Sequence, residues 1–97
     1  MIYVDPPKKY SAAQIQPAAR RNGVMWSHLW CDSGEEEQLH AFAARLGMKK
    51  AWFQDKPGFP HYDLVPRRQA LAVSMGANLV LLSDWVKARY LRHDRLA

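Results

Sequence analysis

The spacing of apolar and polar positions changes several times along the chain, and each change marks an element. Ile2-Tyr3-Val4 is a short β-favouring run stopped by Asp5-Pro6-Pro7, which predicts a strand with Asp5 at its carboxyl end. Residues 8–23 have no period. Their alanines tolerate helix but Pro17 interrupts it, so the stretch reads mostly as loop with a short helical turn. Val24 to Trp30 alternates, with Trp26, His28 and Trp30 on one side of a strand and Met25, Ser27 and Leu29 on the other. Leu39, Phe42, Ala43 and Leu46 then recur at helical spacing and Gly47 supplies a stop. Ser33 with Glu36, or Asp32 with Glu35, has the spacing of a capping box at the start of this helix, and Glu35, Glu36 and Glu37 suit the positive end of its dipole. Lys50 to Gln54 reads as a third strand, and a loop runs from there to His61. Pro66 opens a second helix that ends at Met75-Gly76. Leu79 to Leu82 is an unbroken apolar run, as expected of a strand buried on both faces, and Ser83-Asp84 would cap a last helix from Trp85 to Leu91.

From residue 24 onward strands and helices alternate. That order predicts a single α/β domain over residues 1–97, small and three-layer-like, with a mostly parallel sheet of about four strands flanked by three helices. In such a sheet the ligand lies beyond the carboxyl ends of the strands. Those ends would carry Asp5, His28 to Asp32, Gln54 to Asp63, and Ser83-Asp84.

Composition narrows the setting. A hydrophobic share of 48% is enough for one core in 97 residues. The single cysteine, Cys31, excludes an internal disulfide and a cysteine-rich zinc site, which suits a reducing cytoplasm. The first residues lack the basic and apolar regions of a signal peptide, and no apolar run is long enough to cross a bilayer, so a cytoplasmic protein without membrane contact is expected. The net charge of +5 favours an anionic partner, such as nucleic acid, nucleotide phosphate or an acidic protein. The basic pairs Lys8-Lys9, Arg20-Arg21, Lys49-Lys50 and Arg67-Arg68, with Lys87, Arg89, Arg92 and Arg95 in the tail, read equally well as a solvated surface.

The chemistry concentrates between Trp52 and Asp63, where aromatics, two prolines and a glycine frame polar groups. In His61-Tyr62-Asp63 an imidazole can move a proton or bind a metal, and an acid two residues on can orient it or serve as a further ligand. The competing reading makes Asp63 a helix cap and packs His61 among the prolines. His28, between two tryptophans on its strand face, is either a satisfied core residue or part of a site. Asp5 and Asp32 are metal ligands or bases if they approach His28 or His61, although Asp32 also suits an N-cap. His40 shares a helix flank with Glu36, which favours a surface contact. Cys31 reads as a small buried hydrophobe rather than a nucleophile. There is no P-loop, no Gly-x-Gly-x-x-Gly, no His-Glu-x-x-His and no Gly-x-Ser-x-Gly, so kinase-like and nucleotide-cofactor redox chemistry have no support.

Tyr3-Val4-Asp5, Trp26-Ser27-His28-Leu29 with Asp32, Leu39 to Ala43, Trp52 to Pro57, His61-Tyr62-Asp63 and Gly76-Ala77 together resemble a family of small bacterial and phage proteins catalogued as domain of unknown function 4031. The resemblance runs from Ile2 to about Ala77. It implies one compact domain, with recurring polar positions at Asp5, Ser27, His28, His40, Gln54, Asp55, Lys56, His61, Tyr62 and Asp63. Relatives commonly have Thr or Ser where Pro66 stands here, which would shift capping of the second helix onto Asp63.

The expectation is a hydrolase, metal-dependent in its fuller form, acting on nucleic acid or a nucleotide phosphate. Asp5, His28, His61 and Asp63 would be catalytic. Gln54, Asp55, Lys56 and Tyr62 would bind substrate, and Asp5, Asp32 and Asp63 would hold a divalent ion. The alternative is a non-catalytic binding module, or a phage-borne regulator, that engages nucleic acid or a partner protein.

Overall fold

The computed structural model describes residues 1–96, and from residue 90 onward the backbone alone. The side chains of Arg92 and Arg95 in the basic tail, and all of Ala97, lie outside the described part. Five strands and three α-helices follow one another: β1 (Ile2–Val4), β2 (Lys8–Lys9), β3 (Met25–Cys31), α1 (Glu36–Arg45), β4 (Tyr62–Leu64), α2 (Pro66–Ser74), β5 (Asn78–Leu79) and α3 (Leu82–Leu96). Short 3₁₀ turns occupy Ala12–Gln14, Pro17–Asn22 and Lys50–Trp52.

The sheet is mostly antiparallel, which corrects the parallel arrangement expected from the alternation of elements. β3 is its axis and pairs antiparallel with β1, β2 and β4; only β5 runs parallel, beside β1. The alternation misleads because the strands flanking β3 have two or three residues each, and such short pieces carry no record of direction. Lys50 to Gln54 forms a 3₁₀ turn and a single bridge, Gln54 to His61, in place of a full strand. The run Leu79 to Leu82 is not a doubly buried strand either. Leu79 and Leu81 are each 53% exposed and α3 already begins at Leu82.

β1 and β2 lie end to end along the same edge of β3. Between them Asp5, Pro6 and Pro7 stand opposite only Ser27 and His28, so the edge bulges there. Proline has no N–H to give a ladder, and this is where the ladder is interrupted.

One face of the sheet holds the core. Val4, Leu29, Tyr62 and Leu64 point into it and meet Leu39, Ala43 and Leu46 from the first helical segment and Ala72 from α2. Both α1 and α2 contact β3 and contribute residues to this core. Alternation along the strands sends Tyr3, Asp5, His28, Trp30 and Asp63 to the other face. There Trp30 is covered by Tyr3, Phe59 and Trp85 of α3, while His28 is flanked by Tyr10, Phe59 and His61. Among the described residues no helix is long and apolar enough to cross a membrane.

Leu29 sits on the central strand with no exposed surface. Leu29→Ala should therefore cost about 2–5 kcal/mol, a large part of the roughly 5–15 kcal/mol that holds a domain folded. Chemical denaturation of the two proteins measures it.

Candidate functional site

Three groups converge on the open sheet face. His28, His61 and Asp63 each present one ligating atom, and those atoms all lie within 4.8 Å of one another. The sheet register sets this. His28 on β3 pairs directly with Asp63 on β4, and His61, two residues before Asp63, falls on the same face. The imidazole centroids of His28 and His61 are 5.2 Å apart.

Each side chain is held from behind. At the bulge the Asp5 N–H donates to the His28 carbonyl at 3.3 Å, as an ordinary ladder would require. The return bond differs: the His28 N–H donates to Asp5 Oδ1 at 2.5 Å, and the Asp5 carboxylate replaces a backbone carbonyl. Asp5 Oδ2 lies 2.8 Å from His28 Nδ1, so one carboxylate fixes both the backbone and the ring of His28. The displaced Asp5 carbonyl accepts from the buried Gln69 at 3.3 Å. With Nδ1–H directed at Asp5, the lone pair of His28 is on Nε2.

His61 is arranged in the same sense. Its Nδ1 lies 2.8 Å from the Phe59 carbonyl, which can only accept. Nε2 then faces Asp63 Oδ1 at 3.3 Å. The Gln54 side chain donates to the other Asp63 oxygen, and the Gln54 backbone exchanges bonds of 2.8 and 3.0 Å with His61. Gln54 thus secures both ends of His61-Tyr62-Asp63. Phe59 closes the loop from Gln54 to His61, stacked on His61 at 4.7 Å. Lys56-Pro57-Gly58-Phe59 is its tight turn, with a Phe59 N–H to Lys56 carbonyl bond of 3.0 Å and Gly58 at φ +82°. Proline then glycine at the two central positions is the chemistry of a type II turn.

Burial pushes the Asp63 carboxyl up, but the hydrogen bond and charge of His61, with help from Gln54 and His28, outweigh it and hold the group below 3.8. Asp5 and Asp63 are the two carboxylates here, and among the described residues neither has a lysine or arginine within ion-pair distance. Their ion-pair partners among the described residues are His28 and His61.

The expected residues divide clearly. Asp5, His28, His61 and Asp63 come together, with Asp5 behind His28 and not in the three-ligand group. Asp32 is elsewhere: its carboxylate accepts from the Tyr3 hydroxyl at 3.0 Å and from the Met1 amine at 3.1 Å, so it belongs neither to a metal site with Asp5 and Asp63 nor to a helix cap. Asp63 does not cap α2 either. Val65 holds that position without a side-chain bond, which leaves the Asp63 carboxylate to the site. Tyr62 points the opposite way. It is 1% exposed in the core, and its hydroxyl meets His40 Nδ1 at 2.7 Å, so it cannot contact substrate and His40 is not a partner of Glu36. Gln54 supports ligands, whereas Asp55 and Lys56 are exposed at the loop tip. Burial, then Glu36 and Glu35, pushes the Cys31 thiol up to about 11, which removes it as a nucleophile.

Two contributors escape the sequence reading. Tyr10 packs edge-on to His28 at 6.2 Å, and burial followed by the charges of Asp5 and Asp63 raises its hydroxyl above the usual range. Lys8 Nζ sits 5.9 Å from the Tyr10 ring, which puts a cation at the rim. Both lie in the aperiodic stretch, and only a strand resuming after Pro6-Pro7 could have signalled them. A separate pocket of about 180 Å³, lined in part by Trp30, Phe59, Trp85 and Arg89, contains none of the three converging groups.

Two outcomes follow for the bare protein. Asp63 titrates lower when folded, so as the pH falls the unfolded chain takes up the proton first. The stability Asp63 contributes is full above 3.8 and is lost as the pH drops through the lower folded value. Urea midpoints measured from about pH 5 to pH 3 should fall less steeply in Asp63→Asn than in the wild type. Gly58→Ala places a side chain at positive φ and should cost about 1–2 kcal/mol in thermal or chemical unfolding.

No curated protein and no solved structure matches the chain. The model of one family, described as "Protein of unknown function (DUF4031)", matches residues 2–92, from the first residue of β1 into α3. The convergence of Asp5, His28, His61 and Asp63 on one sheet face is thus a property of a member of that family, to which this chain belongs.

Proposed function

We propose that this protein is a mononuclear metal-dependent hydrolase of phosphate esters, with His28, His61 and Asp63 as the protein ligands. The observation that supports it is the orientation of the imidazoles. Each commits Nδ1 to an oxygen acceptor, His61 turns Nε2 to Asp63, and the three groups bring one ligating atom each within 4.8 Å of one another. A histidine whose second nitrogen is held by a carboxylate or a carbonyl is the usual arrangement of a metal ligand. Two histidines and one carboxylate, with further positions open, is a ligand set used by catalytic zinc and by non-haem iron.

The charge fits as well. A divalent ion would offset the two carboxylates, Asp5 and Asp63, that no lysine or arginine neutralises. Imidazole nitrogens favour zinc or manganese over magnesium. Such an ion would acidify a bound water and polarise a phosphoryl oxygen. The chain's own contribution is to fix the ligands and to leave one side open, since the Asp63 side chain is 37% exposed. Tyr10 and Lys8 edge that side, where a hydroxyl and an ammonium suit the remaining oxygens of a phosphate. Nucleic acid and nucleotides are the substrate class that agrees with the net charge of +5.

Calorimetric titration with Zn²⁺, Mn²⁺ and Mg²⁺ tests the site. One Zn²⁺ or Mn²⁺ ion should bind per chain, more tightly than Mg²⁺, and raise the unfolding temperature. His61→Ala should abolish the response. Asp5→Asn should keep the ligands but weaken affinity about 10–100-fold. Hydrolysis of bis(4-nitrophenyl) phosphate by the loaded protein, absent in His61→Ala, would establish the reaction. A wild type indifferent to all three ions sinks the proposal.

A further inference from the structure

A second feature lies at the junction of α1, the 3₁₀ turn and α2. Trp52 is 43% exposed, unusual for the largest side chain in a chain whose Trp30 is almost fully enclosed. Cations surround it: Lys49 Nζ is 5.6 Å and Arg68 Cζ 5.5 Å from its ring centroid. Lys50 and Arg67, their neighbours in the chain, are exposed. The Arg68 guanidinium reaches to within 4.0 Å of where a Cβ on Gly47 would stand, so the end of α1 and the start of α2 adjoin. Among the described residues, none of these four cations has a carboxylate within 4.0 Å.

Helix stability does not account for this arrangement. Arg67 and Arg68 are in the first turn of α2, which has no acidic residue and no side-chain cap. Cations there oppose the helix dipole, so the dipole reinforces the positive field instead of offsetting it. Two cations against one exposed indole, with two more adjacent in the chain and none of the four paired with a carboxylate, meet two needs of a single nucleic-acid strand, charge for its phosphates and a flat face for a base. A duplex presents phosphates but keeps its bases stacked, and an acidic protein segment has no base to place on the ring.

We infer that Trp52, Lys49, Lys50, Arg67 and Arg68 form a docking surface for single-stranded nucleic acid. The surface is distinct from the three metal-ligating side chains and does not rest on their holding an ion. It is nonetheless near them in the chain, because Trp52 is two residues, or about 7 Å of extended backbone, from Gln54, whose side chain holds Asp63.

Fluorescence anisotropy with labelled 12-residue oligothymidylate, oligouridylate and a 12-base-pair duplex, all in EDTA, tests the surface without any metal. The single strands should bind more tightly than the duplex. Log affinity should fall linearly with log salt, with a slope near −2 to −3, at about 0.7 per phosphate contact. Trp52→Ala should lose about tenfold or more, the scale of one stacked base, at unchanged slope, and Trp52→Phe should recover most of it. Lys50→Gln with Arg67→Gln should lower the slope by about 1.4. Circular dichroism establishes that each variant is folded. Absence of salt-dependent binding, equal affinity for duplex and single strand, a folded Trp52→Ala that binds like the wild type, or capture of polyglutamate in preference to the oligonucleotides would overturn the inference. Because EDTA removes any ion, failure here leaves the metal titration untouched, and a failed metal titration leaves this binding intact.

Discussion

The bond between the Asp5 carboxylate and His28 is the constraint from which the rest of the site follows. Two prolines after Asp5 break the ladder along β3, and a broken ladder leaves a central N–H in need of an acceptor. Asp5 supplies that acceptor from its side chain, and the second oxygen of the same group then reaches the His28 ring. A defect in pairing is thereby converted into a fixed tautomer. Gln69 completes the exchange by taking the carbonyl that the bulge releases, which ties the bulge to α2 and hence to the core. Bulges commonly re-aim a side chain next to a functional site, and here the re-aimed group and the residue it serves are both identified.

The opposite strand works by simple alternation. His61, Tyr62 and Asp63 read in the sequence as one polar cluster within a loop, yet they fall on two faces of the sheet. Tyr62 carries its hydroxyl into the core, where His40 accepts or donates at 2.7 Å, and this satisfies a polar group that would otherwise be costly to bury. His61 and Asp63 are left together on the other face. The same three residues therefore join core to site, and His40 of α1 supports the arrangement through the Tyr62 hydroxyl.

How much of this could be read in the chain depends on the length of each element. The period of β3, the apolar stripe of α1, Pro66 at the start of α2 and the stops at Gly47 and Gly76 were all legible, because each is a local signal carried by several residues or by proline and glycine. Sheet direction was not legible, since it rests on pairs of two or three residues, Lys8-Lys9 and Asn78-Leu79 among them. Asp5, His28, His61 and Asp63 were expected to meet at the carboxyl ends of parallel strands. They meet instead on the open face of an antiparallel sheet. Their chemical character was visible, whereas the route that brings them together was not. Asp32 was expected to hold an ion with Asp5 and Asp63, whereas it is the Tyr3 hydroxyl, distant in sequence, that engages it.

The ligand group consists of two prefabricated halves. One is His28, set by Asp5. The other is His61 with Asp63, set by Gln54 through its backbone and its amide. The β3–β4 pairing joins them, with His28 opposite Asp63 and the His28 and His61 rings edge to face at 5.2 Å. A slip of that pairing by one residue would put Tyr62 opposite His28 and send His61 and Asp63 to the core face, where their charge would be untenable. The core resists such a slip, because Leu29, Tyr62 and Leu64 fill it only in the observed register. Hydrophobic packing on one face of the sheet thus holds the spacing of polar groups on the other.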